Sequence, residues 1–147
     1  MSGARPVLGP LARAALAALA SRLIPADDLG PGAVEAGADN YIATALQEAL
    51  AAQADSYRAG LATVDDESLR DTGHRFAELD PPRQDELLER WAASGLLAEF
   101  VETVREHTIE GFLGDPVHGG NRGRAGWELI GYTPPGPLFT AEQQGAP

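Results

Sequence analysis

Between Pro10 and Leu23, apolar side chains return at Ala12, Leu16, Leu19 and Leu23, a spacing that lines them along one side of a helix. Alanine fills most positions between them and loses least on entering a helix, so the pattern predicts a first helix over 10–23. Ile24-Pro25 ends it, because the residue before a proline is pushed out of helical backbone. Asp27-Asp28-Leu29-Gly30-Pro31-Gly32 then reads as a loop, with turn-forming acids followed by alternating glycine and proline. A second helix is expected from Asn40 to about Gln53, with Ile42, Leu46 and Ala49 facing inward and Asp39 or Asn40 as its cap. Ala54 to Ala62 continues the spacing through Tyr57 and Leu61, which fits either one helix or two.

Val64 to Leu69 reads as a fresh helix start, with Asp65, Asp66 and Glu67 in the first turn, where the helix dipole favours acids. Gly73 closes that element. The best local start is Leu79-Asp80-Pro81-Pro82: Asp80 caps, and Pro81 sits where a missing N–H costs nothing. Leu87, Leu88 and Trp91 form its apolar side, and Ser94-Gly95 breaks it. The last helix, Leu96 to about Phe112, repeats through Leu97, Phe100, Val101, Val104, Thr108 and Phe112. No segment alternates as a strand would over five or more residues, and there is no internal repeat. The expected fold class is mostly α, a small domain of about five helices over residues 1–113 followed by an irregular arm over 114–147.

That arm is rich in glycine and proline, and only Trp127-Glu128-Leu129-Ile130 could make a short element. Irregular runs beyond roughly 15 residues are uncommon in a compact domain unless they are functional or disordered. Trp127, Leu129, Ile130, Tyr132, Pro134, Pro135, Leu138 and Phe139 give it a large apolar load. Its glycines permit close backbone approach, so the segment can lie against the chain's own helices or against a partner. Aromatic residues and arginine are the groups most enriched at interface centres.

Charge narrows the partners. Residues 26–110 hold 19 acids against six arginines, and the whole chain carries −11. So acidic a surface argues against nucleic acid, where neutralising phosphate supplies much of the affinity. At 44% hydrophobic the chain is not disordered by composition, yet no apolar run reaches the roughly 20 residues of a membrane span. Ala14 to Ala20 after Arg13 has the shape of a short secretory signal, but the apolar spacing runs on through Leu23 as a helix would.

Candidate chemistry is sparse. With no cysteine, disulfides, thiolate metal sites and cysteine nucleophiles are excluded. His74, His107 and His118 are far apart; His107, beside Glu106 and Glu110, reads as a solvated or paired helix residue before it reads as a metal ligand. Asp27-Asp28 and Asp65-Asp66 are explained by loops and caps. The glycines of 114–126 follow a helix and lack a lysine, so they do not make a phosphate-cradling loop. No Ser-His-Asp or nucleophile-elbow pattern is present.

Gly114-Asp115-Pro116, Gly119-Gly120-Asn121-Arg122 and Gly126-Trp127-Glu128-Leu129-Ile130-Gly131-Tyr132, in that order, resemble the carboxy-terminal motif of the gluconate 2-dehydrogenase subunit 3 family. Arg22-Leu23-Ile24-Pro25-Ala26-Asp27, then Gly30-Pro31-Gly32-Ala33, resembles that family's first motif, and Tyr41-Ile42, Tyr57, Gly60-Leu61 and Phe76 to Asp85 follow in the expected order. The resemblance implies a non-catalytic small subunit with no cofactor of its own. Its partner would be a large FAD-containing flavoprotein of the glucose-methanol-choline type, oxidising a sugar, sugar acid or glycoside, often with a cytochrome c subunit as electron acceptor. It also implies a part in folding and export of the partner. No twin-arginine pair precedes Pro10, so the expectation is a cytoplasmic assembly, or a periplasmic or membrane-associated one if a signal has been removed.

The partner-binding residues expected on this reading are Asp115, His118, Gly119, Gly120, Asn121, Arg122, Trp127, Leu129, Ile130 and Tyr132, with Trp127 and Tyr132 as anchors and Asn121 and Arg122 fixing the loop. Two other classes stay open on the residues alone. One is a small enzyme using His118, Asn121 and Arg122; the other is a freestanding helical interaction module, with a homodimer built on the same arm as one form of it.

Overall fold

The computed structural model describes residues 6–28 and 30–114. Five α-helices run through them: α1 (Pro10–Leu23), α2 (Ala38–Ala45), α3 (Ala54–Thr72), α4 (Pro81–Ser94) and α5 (Ala98–Leu113). No strand occurs among the described residues beyond an isolated bridge between Asp27 and Gly30, so the mostly α expectation holds there. The arm, 115–147, lies outside the described residues.

The first helix is the axis of the fold. Ala15, Leu16, Leu19 and Ala20 are completely buried along it, and it packs against α2, α3, α4 and α5. The main core joins Ala15, Leu16 and Leu19 to Ile42, Leu46, Tyr57, Leu61, Val64, Phe76, Leu87, Trp91 and Val104. A second cluster, made largely of alanine, gathers Ala20, Ala33, Ala36 and Ala38 around Phe112.

Local signals with a stereochemical cause are realised. Asp80 accepts the backbone N–H of Arg83 at 3.1 Å, with Pro81 opening α4. Gly73 and Gly95 close α3 and α4 in left-handed backbone, at φ 80° and 79°. Leu97 also adopts positive φ, 61°, which turns the chain sharply between α4 and α5.

Three expectations are corrected. The second helix stops at Ala45, eight residues long; tighter turns follow, bringing Leu46 and Leu50 to the core and leaving Ala49 outside. Asp39 and Asn40 do not cap it: Gly37 takes that position, and both side chains instead accept from Arg13 Nη2, at 3.2 and 2.7 Å. The start proposed at Val64–Leu69 lies inside one continuous 19-residue helix. Asp65 is buried there and accepts the N–H of Phe76, so its role is tertiary and not a first-turn acid. Ser68 and Gln84 complete this clamp by donating to the carbonyls of His74 (2.7 Å) and Phe76 (2.8 Å), which pins the α3–α4 connection to both helices.

Candidate functional site

All ten residues assigned to partner binding from the sequence, Asp115, His118, Gly119, Gly120, Asn121, Arg122, Trp127, Leu129, Ile130 and Tyr132, lie outside the described residues. The described residues next to that segment end at Gly114, and α5 is the element that leads into it. Along one face α5 lies very close to α2. A Cβ placed on Gly111 would stand 3.1 Å from the Ala38 Cα and 2.8 Å from the Tyr41 ring, so only glycine permits this approach. Phe112 then enters the alanine cluster, with Ile24, Val34 and Leu113 packed around it. Gly32 is equally confined, its virtual Cβ 2.4 Å from the Ala26 nitrogen, which seats the 24–36 loop beneath the end of α5.

Toward α3, α5 contributes a buried polar pair. Tyr57 Oη and His107 Nδ1 are 2.6 Å apart, with the rings stacked at 5.7 Å between centroids. Burial, reinforced by the nearby Glu110 charge, pushes the Tyr57 hydroxyl well above its ordinary pKa. The phenol therefore keeps its proton at neutral pH and shares one hydrogen bond with the His107 ring nitrogen. Phe100 stands edge-on to Tyr57, at 5.5 Å, over Gly60. His107 is thus paired, as the sequence suggested, but its partner is a tyrosine fifty positions away that no local pattern indicates.

Toward α4, α5 is open. The two helices approach each other little despite being consecutive, and between them run two adjoining cavities of about 340 and 170 Å³. Leu88, Ala92 and Val101 line both; Leu23 borders the larger, and Leu96 and Ala98 the smaller. At one lip Arg22 holds Asp85 in a two-pronged ion pair, 2.8 and 3.0 Å. That hydrogen-bonded pairing lowers the Asp85 pKa and raises that of Arg22. At the other lip Arg105 holds Glu102 at 3.1 Å. Glu89 between them has no partner among the described residues. A separate cavity of about 300 Å³ lies between the start of α1 and α3, lined by Leu11, Leu61, Arg58, Asp65, Asp66 and Arg75.

Among the described residues no three His, Asp or Glu side chains gather as a metal-binding group, and no helix is long and apolar enough to cross a membrane. Of the buried polar groups, Asp65, Ser68 and Gln84 clamp one turn and Asp39 accepts from Arg13 to tie α2 to α1, while Thr108 Oγ1 and Trp91 Nε1 are buried with no hydrogen-bond partner among the described residues.

The model of the family described as gluconate 2-dehydrogenase subunit 3 matches residues 10–136, spanning all five helices and continuing through the arm beyond Tyr132. No curated protein and no solved structure matches the chain.

Proposed function

The chain belongs to the gluconate 2-dehydrogenase subunit 3 family, and from that premise we propose that it is the non-catalytic small subunit of an FAD-dependent sugar, sugar-acid or glycoside oxidoreductase. Membership makes it a subunit of a dehydrogenase complex, which implies a larger catalytic partner. The finer reading is that this partner is a flavoprotein of the glucose-methanol-choline type, that FAD sits in it, and that this chain binds it and supports its folding. A cytochrome c subunit as electron acceptor belongs to the same reading.

The observation that carries the proposal is the extent of the family match. It does not stop with the helical body at Leu113 but runs on to residue 136, so the apolar arm belongs to the same pattern as the platform. Such a load of Trp127, Leu129, Ile130 and Tyr132 suits a segment buried against another protein. On this reading Trp127 and Tyr132 anchor the arm on the flavoprotein. Asp115, His118, Gly119, Gly120, Asn121 and Arg122 shape the loop that leads to them.

Co-expression with the large subunit, followed by capture on this chain, tests the proposal. The expected product is a yellow complex with flavin absorption bands, lost from the Trp127→Ala/Tyr132→Ala double variant. A colourless, folded single chain would favour the freestanding module instead. A yellow complex that survives the double substitution would move the anchors elsewhere.

A further inference from the structure

The groove between α4 and α5 is formed where the chain turns. Gly95 and Leu97 both stand in left-handed backbone there, at φ 79° and 61°, and for leucine that conformation is strained. The turn leaves these consecutive helices apart, and Leu88, Ala92 and Val101 line both of the adjoining cavities between them. Leu88 also packs against the main core beneath, and Leu96 at the groove's end is 39% exposed. Strained backbone beside an aliphatic surface left open is the mark of a place where something binds.

We propose that this groove is a docking surface for the large subunit, additional to the arm, and that it receives a segment presenting apolar side chains and a lysine or arginine. The inference rests on the reading of this chain as a subunit that binds a catalytic flavoprotein. It adds where on the helical body that partner sits and what chemistry the docked segment carries.

Charge selects that occupant. Five charged side chains line the two cavities, and four of them are engaged with each other. Arg22 holds Asp85, and Arg105 holds Glu102. Glu89 has no partner among the described residues, so the rim carries one net negative charge beside an apolar floor. A wholly apolar segment laid across it would take the Glu89 carboxylate out of water without compensation, which is costly. A basic residue in the segment answers that carboxylate while its neighbours cover the floor. A second copy of this chain is disfavoured on the same ground, since two molecules of net charge −11 repel. Because the cavities share one floor, they take two side chains from one face of the incoming segment, as anchors a helical turn apart would supply. The cavity by Leu11 makes no such choice: Arg58 and Arg75 line it together with Asp65 and Asp66, so its rim prefers neither sign.

The test uses the full chain co-expressed with the large subunit, captured on this chain and read by the flavin absorbance retained across a dilution series. Ala92 is exposed, so Ala92→Trp fills the groove from a position where the fold tolerates it, as an unchanged urea unfolding midpoint checks. Displacing buried anchors in this way is expected to weaken assembly at least about tenfold. Glu89→Arg is expected to weaken it severalfold, and Glu89→Gln to lessen its dependence on salt. Ala62→Trp, at an exposed position by the other cavity, should leave assembly unchanged. A photo-crosslinking amino acid in place of Ala92 identifies the occupant, and the expected product joins this chain to a large-subunit segment that holds a lysine or arginine. Full assembly of both Ala92→Trp and Glu89→Arg would overturn the proposal and leave the flavoprotein reading standing. So would a crosslink to a segment without a basic residue, to this chain's own arm or to a second copy. If the unsubstituted chain captures no flavoprotein, both readings fall together.

Discussion

Where α5 meets α2, small residues let the backbones nearly touch, and Phe112 closes the joint among four buried alanines. Where the same helix faces α4, Leu88, Val101 and Leu96 are also apolar and of ordinary core size, and yet no described residue fills the space between the helices. The closed side buries its four alanines completely and leaves Phe112 only 4% exposed, whereas on the other side Leu96 is 39% exposed among the described residues. Bulk is therefore a poor guide to which face of a helix is core. Complementarity decides it, since dispersion contacts fall away within an ångström of separation.

Substitutions on the two sides should differ accordingly. The largest effect is expected from Phe112→Ala, which empties the middle of the closed joint and should cost about 3–5 kcal/mol in a urea unfolding curve. Ala92→Leu, on the open side, should stay within about 0.5 kcal/mol of the unsubstituted chain. A comparable loss for both would erase the distinction between the sides. Gly111→Ala is the finer probe. Alanine gains roughly 1 kcal/mol over glycine inside a helix, but here its methyl would stand 2.8 Å from the Tyr41 ring and 3.1 Å from the Ala38 Cα, and such overpacking costs about 1–3 kcal/mol. A net loss of melting temperature is expected, and a gain would mean that α2 and α5 separate freely.

The smallest effect belongs to the lip of the groove. Asp85, held by Arg22, has a folded pKa below its ordinary value of 3.8. A carboxylate lowered in this way contributes stability above that ordinary value and loses it as pH falls from there through the folded value. Asp85→Asn should therefore remove part of the acid sensitivity below about pH 4 and leave a small, pH-independent deficit at neutrality. Nearly half of the Asp85 side chain is exposed, so solvent screening keeps the term small. A variant whose acid unfolding curve superimposes on the parent's would show that the ion pair adds nothing to the edge.

Elements bounded by local stereochemistry were legible in the sequence. Asp80-Pro81 and Gly95 bracket α4 because a cap, a proline and a left-handed glycine act within a turn of where they stand. Where the deciding contact is remote, local reading fails. Asp65 looks like a first-turn acid, but it points inward to a backbone N–H eleven residues on, so α3 runs straight through the expected break. Asp39 resembles a cap and is instead the far end of a link from Arg13. The groove was illegible for a related reason: Leu88 and Val101 repeat at core spacing, and periodicity cannot report that the facing helix stands too far away. The motif residues expected by resemblance to bind the partner lie outside the described residues.

The Tyr57–His107 contact has a consequence for time as well as for packing. The hydrogen shared by Tyr57 Oη and His107 Nδ1 lies in the interior, and its exchange with solvent is expected to be slow while α3 and α5 stay together. Exchange then follows the parting of the helices. That single proton is thus a clock for the breathing of the platform, running in any state of the subunit, alone or assembled, and slowed by whatever binds and holds the two helices closed.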